Sequence, residues 1–201
     1  MDKRAQTDHP VQELVAARWS PYAFADRPVP AELLQSLFEA ARWAPSSYNE
    51  QPWSYLVATK DDAAEFAKML SCLEQGNQSW AKAVPVLAVG CTSLKFKLND
   101  KPNAAAMHDL GLAAGNLLVE ATARGLVVHQ MIGILPDRVR ALYAVPEGVQ
   151  PLTGLAIGYV GDSQTLPENL RGRDLAQRTR KALSSFVFAG KWGTAAALAR
   201  P

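Results

Sequence analysis

The sequence predicts one domain in which a sheet is covered by helices, of the α/β or α+β class. Three observations carry this. Short apolar runs rich in β-branched residues alternate with longer stretches of helical periodicity along most of the chain. No internal repeat or low-complexity linker divides residues 1–201. With 48% hydrophobic and 20% charged residues, a chain of 201 residues can bury one sizeable core.

The elements follow in order. Residues 11–17 read as a short helix ending at Arg18-Trp19-Ser20-Pro21, because Pro21 pushes Ser20 out of the α region. Over 31–43, Leu33, Leu34, Leu37, Phe38 and Ala41 recur at helical spacing, and Pro45 stops the helix. Trp53–Ala58 suits a strand, 61–70 an amphipathic helix, and the continuous apolar run Val84–Cys91 a buried strand. The longest helix spans 104–124, with Met107, Leu110, Ala114, Leu117, Leu118 and Ala121 as its stripe and Gly125 as its stop. Gly111, Ala114 and Gly115 thin that helix, so another backbone can approach, inside the domain or across a dimer. Leu126–Ile132 is a third strand, Pro136–Tyr143 a short helix, and Thr153–Val160 a fourth strand. The tail from Ser184 carries Phe186, Phe188 and Trp192 and needs a surface to cover them, such as a partner subunit.

Composition narrows the function. A net charge of +2 is too weak to argue for nucleic acid or a membrane surface. No run approaches the length of a membrane span. Residues 1–10 are polar and hold no apolar signal region, so the expected location is cytoplasmic. Cys72 and Cys91 lack metal-ligand spacing and His9, His108 and His129 are scattered, so no metal is expected.

No sequence signature of a nucleophilic, zinc-dependent or phosphate-loop enzyme is present, and no dinucleotide fingerprint. His108 and Asp109 are neighbours on a helix, diverge by about 100° and read poorly as a base and its orienter. His129, on an apolar strand, reads as a satisfied core histidine. Any chemistry therefore falls to a cofactor. Two elements could hold one. Arg18 and Ser20 offer a guanidinium fork and a hydroxyl suited to phosphate, although a cation at a helix C-terminus also simply answers the helix dipole. The loop Pro45-Ser46-Ser47-Tyr48-Asn49-Glu50-Gln51-Pro52-Trp53 sets hydroxyls and amides on a stiff backbone, as a heteroaromatic ring edge requires, or is an ordinary polar turn.

Together these segments carry a resemblance. Arg18-x-Ser20 with Phe24, a helix, then A-P-S-S-x-N-x-Q-P-W, resembles the nitroreductase family of FMN-dependent oxidoreductases. Val127–Gly133, Ile157-Gly158-Tyr159 and the basic stretch Arg178–Lys181 continue the likeness over roughly residues 11–192. The resemblance implies an α+β homodimer with a central, mainly antiparallel sheet flanked by helices. It also implies a C-terminal arm on the partner and two FMN sites at the interface. Arg18, Ser20, Arg178 and Arg180 would hold the phosphate and ribityl chain, since a phosphate of about −2 charge suits several guanidinium forks. Pro45, Ser46, Ser47 and Asn49 would reach the flavin of the other subunit. Asn77, in a loop before the Val84 strand, would meet the ring edge, and the backbone of Ile132 and Gly133 would approach N5. The family often has an acidic residue where this chain has Ile132. A backbone contact survives that change.

Two departures matter. Many members carry Arg or Lys where this chain has Tyr22, facing flavin N1 and O2. A neutral hydroxyl stabilises the reduced ring less than a cation, so a lower reduction potential is expected. The segment between the second strand and the long helix is short, leaving Lys95, Phe96 and Lys97 as cover, so Phe96 and His108 are candidate substrate-pocket residues over an open flavin face. The implied activity moves hydride from NAD(P)H through FMN N5 to a flat, electron-poor nitroaromatic or quinone by a ping-pong route. The alternatives are other flavin chemistry on the same fold (dehalogenation, enoate or aldehyde reduction) and a flavin-binding protein without turnover.

Overall fold

The structure, a computed structural model, describes residues 3–199; residues 1, 2, 200 and 201, the extremes of the expected single domain, lie outside the described residues. Its centre is a four-stranded sheet of β1 (Trp53–Thr59), β2 (Val86–Ser93), β3 (Val127–Met131) and β4 (Val149–Gly158), in the order β1-β2-β4-β3 with every pairing antiparallel. Among the described residues seven α-helices flank it: α1 (Glu13–Ala17), α2 (Ala31–Arg42), α3 (Ala63–Leu70), α4 (Gln75–Ala81), α5 (Ala106–Ala123), α6 (Pro136–Tyr143) and α7 (Glu168–Leu175). This is the α+β arrangement.

The sheet is covered on both faces, and the period of two along β2 shows why. Val86 and Ala88 point into a cluster with Leu37 and Ala41 of α2 and Ala113, Leu117 and Ala121 of α5. Leu87, Val89 and Cys91 point the other way, onto Phe66 and Met69 of α3, Trp80 of α4, Val139 of α6 and Leu170 of α7. A strand buried on both faces must be apolar throughout, hence the unbroken run Val84–Cys91. Both cysteines are free and buried, and burial pushes the Cys91 thiol up to about 11. Gly125 ends α5 with a φ of +71°, as a left-handed stop requires.

Three differences from the sequence reading have physical causes. β4 begins at Val149 rather than Thr153, because Pro151 sits at an irregularity opposite Gly90/Cys91, where its missing N–H does no harm. α4 is a helix where the sequence reads as loop, and α7 is a helix in a stretch given no element from the sequence; both are polar, and each buries only two residues, Trp80 and Ala81 in one, Leu170 and Asp174 in the other. Met107 is not in the core stripe of α5. It is exposed, and it heads a line of i, i+4 positions through Gly111, Gly115 and Val119 on the outer side of the helix. The tail holds a small turn of its own, bridged at Phe188 and Ala195 with the Phe188 and Trp192 rings 5.3 Å apart. Trp192 remains exposed.

Candidate functional site

Three arginines remote in sequence come together at the end of α1. Pro21 turns the chain after Ser20, and Arg18 Nη1 donates to Ser20 Oγ at 3.3 Å. Arg178 Nη1 donates to Ala16 O and to Lys3 O, both at 2.7 Å, so it answers the carbonyl end of α1 and ties residues 3–5 beside it. Arg180 donates, among the described residues, only to Thr179 O. Burial first, then the charge of Arg180, lowers the Arg18 pKa. Burial, then Arg18 and Arg180, lowers that of Arg178. Among the described residues no carboxylate pairs with any of the three. Three guanidiniums without a paired acid leave a local excess of positive charge at this end of the molecule.

The loop after α2 is a second cluster. Ser47–Asn49 makes one 3-10 turn, and Tyr48, Asn49 and Gln51 all have left-handed backbones, with φ of 53°, 55° and 52°. Such a backbone persists only where its surroundings hold it. Ser46 Oγ accepts from Gln51 N at 3.0 Å, and Glu50 Oε1 accepts from Lys97 N at 2.8 Å. Asp109 Oδ2, in the first turn of α5, accepts from Ser47 N at 3.0 Å. Tyr48, 91% exposed, meets the Phe96 ring edge-on at 5.6 Å. Phe96 belongs to a small hairpin bridged at Lys95 and Pro102, which borders a cavity of about 470 Å³ with Gln51, Trp53 and Glu147. Pro45, Ser46, Ser47, Asn49, Phe96 and His108 thus share one neighbourhood. Among the described residues no hydrogen bond joins it to the arginines.

A third group forms where β3 ends. Asn77 lies on α4 and not in a loop, because Glu74 N docks that helix on Gly133 O at 3.0 Å. Asn77 Nδ2 donates to the same carbonyl at 2.9 Å. A Cβ on Gly133 would lie 2.5 Å from Asn77 Nδ2 and 3.0 Å from Glu74 Oε2, so only glycine fits without a shift. The Gly133 N–H donates to no described protein group. Ile132 projects outward, 72% exposed.

The nitroreductase family model matches residues 15–159, most of the chain and both loops. The chain belongs to the nitroreductase family. A crystal structure described as an oxidoreductase containing FMN superposes on it with a TM-score of 0.87 at 34% identity, over 96% of this chain and 97% of that one. A nitroreductase family protein from Clostridium difficile 630 shares the fold, with a TM-score of 0.69 at 22% identity over 89% and 96% of the two chains. Among relatives by sequence, an uncharacterised 15.4 kDa protein of Mycolicibacterium smegmatis is 37% identical, over 67% of this chain and 90% of its own length. A protein of Methanothermobacter thermautotrophicus, provisionally named NADH dehydrogenase/NAD(P)H nitroreductase, is 29% identical over 76% and 78%.

Within this nitroreductase fold Tyr22 is held tightly. Its ring lies edge-on to Trp80 at 5.3 Å and tilted on His129 at 4.8 Å. His129 Nδ1 bonds Pro21 O at 2.8 Å, and burial lowers its pKa. It is a satisfied core histidine. His108 and Asp109 do touch, with Nδ1 3.2 Å from Oδ1, contrary to the divergence expected of helical neighbours. The angle separates their Cβ directions, but the first turn of a helix leaves the imidazole free to fold back. Two residues have roles the sequence reading missed, Asp174 unread and Asp109 read only as a poor partner for His108. Asp109 and Asp174 are both only 2% exposed. Asp174 accepts from Tyr22 N at 2.6 Å and from Ser163 Oγ. Each acid therefore fixes one of the two site segments. The available signal was an aspartate set directly before a leucine on a helix, Asp109-Leu110 and Asp174-Leu175.

Proposed function

We propose that this nitroreductase-family chain binds FMN and works as an NAD(P)H-dependent flavin oxidoreductase on flat, electron-poor acceptors. The observation that carries the reading is the trio Arg18, Arg178 and Arg180, in which the charge of Arg180 lowers the pKa of the other two and no described acid pairs with any of them. The residues present fit the cofactor. Three guanidiniums answer a phosphate dianion, and Ser20 adds a hydroxyl at the ribityl end. The unpartnered Gly133 N–H suits the edge of a flat ring. Asn77, its amide nitrogen already given to Gly133 O, presents Oδ1 as an acceptor. Bound FMN supplies the hydride chemistry, taking reducing equivalents from NAD(P)H and passing them to a nitroaromatic or quinone in a ping-pong cycle.

The protein's part is to bind, orient and exclude water. Trp80 and His129 hold the Tyr22 ring, so its hydroxyl can offer only a fixed, neutral hydrogen bond toward the reduced ring. Pro45, Ser46, Ser47 and Asn49 complete the site from the other subunit of a homodimer. The separation of the loop from the arginines within one chain supports this. So does the outer face of α5, where Met107, Gly111 and Val119 stand exposed and Gly115 is half-buried, thin enough for a second backbone. The Phe186–Trp192 tail is the arm available to lie on that partner. Phe96 and His108 border the acceptor's entry.

The test is anaerobic mixing of the purified protein with NADH or NADPH. The expected result is a yellow, FMN-loaded dimer that bleaches within seconds and recovers its colour with a quinone. A colourless protein that ignores added FMN overturns the cofactor, and a stable yellow colour overturns the turnover.

A further inference from the structure

The loop Pro45–Pro52 is unusually demanding: three non-glycine residues within four positions hold positive φ. Such a backbone persists in non-glycine residues only where the surroundings enforce it. Most of the bonds that could enforce it are internal: Ser46 to Gln51, Gln51 Nε2 to Asn49 O at 3.1 Å, and the 3-10 bonds Asn49 N to Ser46 O and Glu50 N to Ser47 O. Glu50 reaches Lys97, but Lys97 is itself on an exposed hairpin. The bond from Ser47 N to Asp109 is different. It ends on an 18-residue helix packed against the sheet, through a carboxylate almost wholly out of solvent. The second carboxylate oxygen faces His108 Nδ1, whose ring is 71% exposed on its side-chain surface, so the two contacts fix the plane of the carboxylate.

We propose that Asp109 is a positioning residue for the flavin site: it clamps the strained loop to α5 through Ser47 N–H and so sets where Pro45, Ser46 and Asn49 stand. The proposal rests on the FMN reading for its consequence but not for its geometry. Removing the acceptor leaves a half-buried N–H unpaired and lets the loop relax out of its left-handed turns. Asp109→Ala should therefore weaken FMN binding roughly 10- to 100-fold, a change of about 1.4 kcal/mol per decade. Asp109→Asn keeps an oxygen for Ser47 and the volume of the side chain, and should stay within about threefold of wild type. Rescue by the amide separates a clamp from a need for charge.

The experiment combines FMN titration by fluorescence quenching with amide hydrogen exchange on the flavin-free protein. In wild type and Asp109→Asn, the Ser47 amide should exchange as slowly as the amides of α5. In Asp109→Ala it should speed up while the β2 amides do not. Exchange at Ser47 already fast in the wild type overturns the clamp, and needs no variant to fold. Unchanged FMN affinity in Asp109→Ala, or an Asp109→Asn variant as damaged as the alanine, overturns it too. If wild type binds no FMN, the functional reading fails, yet slow Ser47 exchange still supports the clamp.

Discussion

Replacing Arg180 with glutamine should move stability and cofactor affinity in opposite directions. Among the described residues the Arg180 side chain donates only to the carbonyl of its neighbour, Thr179, at 2.7 Å, so its loss breaks no tertiary hydrogen bond there. Its charge, however, lowers the pKa of both Arg18 and Arg178. Exposed charge pairs are worth about 0.2–1 kcal/mol, and solvent screens Arg180, so relief of two repulsions amounts to about 1 kcal/mol at most. For a chain of this size that raises the melting temperature of FMN-free protein by roughly 1–4 °C. A hydrogen bond to a charged phosphate contributes about 1.5–3 kcal/mol, so FMN affinity should fall roughly 10- to 100-fold. Because FMN stabilises by mass action, about 2.7 kcal/mol at a hundred times Kd, the two proteins should exchange order. Arg180→Gln melts later without FMN and earlier with it. Near 1 M salt, where screening extends only about 3 Å, the advantage without FMN should vanish. Thermal melts at two salt concentrations and a fluorescence titration are the assays. An FMN-free variant less stable than wild type, or one of equal FMN affinity, refutes the reasoning.

Three further outcomes are expected. Burial lowers the His129 pKa, so the folded state takes its proton less readily than the unfolded chain does; stability from this residue is full above the ordinary value of about 6.5 and is lost as pH falls from there through the lowered folded value. Denaturation midpoints should drop over that window in wild type, by at most about 1.4 kcal/mol per pH unit, and stay flatter in His129→Gln. Gly133→Ala should cost about 1 kcal/mol by driving Asn77 Nδ2 off Gly133 O, and an Asn77→Ala background should make the second substitution cheaper; strict additivity in urea denaturation counts against the close approach. Tyr22→Phe keeps the packing on Trp80 and His129 and removes only the hydroxyl, so the midpoint potential of bound FMN should fall; an unchanged potential in a redox titration takes Tyr22 away from the flavin.

Periodicity made most of the architecture legible. Leu33–Ala41 and the run Val84–Cys91 declare a helix and a doubly covered strand, because burial writes itself into the spacing of apolar residues. α4 was not legible, since Gln75-Gly76-Asn77-Gln78 is held by hydrogen bonds to Leu73 and Gly133 rather than by an apolar face. Pro151 hid the start of β4, and Met107 read as core because its period fits while its side faces outward. In the candidate site, the arginines and the Pro45–Asn49 loop could be found from residue types. Asp109 and Asp174 could not. Their role depends on backbone N–H groups 62 and 152 positions away, which no local pattern encodes.

The way Arg178 fastens the end of α1 bears on the order in which the chain matures. Its bond to Ala16 spans 162 positions, and that of Lys3 Nζ to Ala176 O spans 173. Contacts of such separation close late, because the chain between them must first be ordered. On the ribosome, α1 emerges long before the arginine that caps it. The sheet and its helices can therefore be native while the two distant segments are still unzipped, a folded species open to proteases at both. A dianion held by Arg18, Arg178 and Arg180 at once would act as the last fastener, so that the supply of flavin during synthesis sets how much of the protein reaches its closed, durable form.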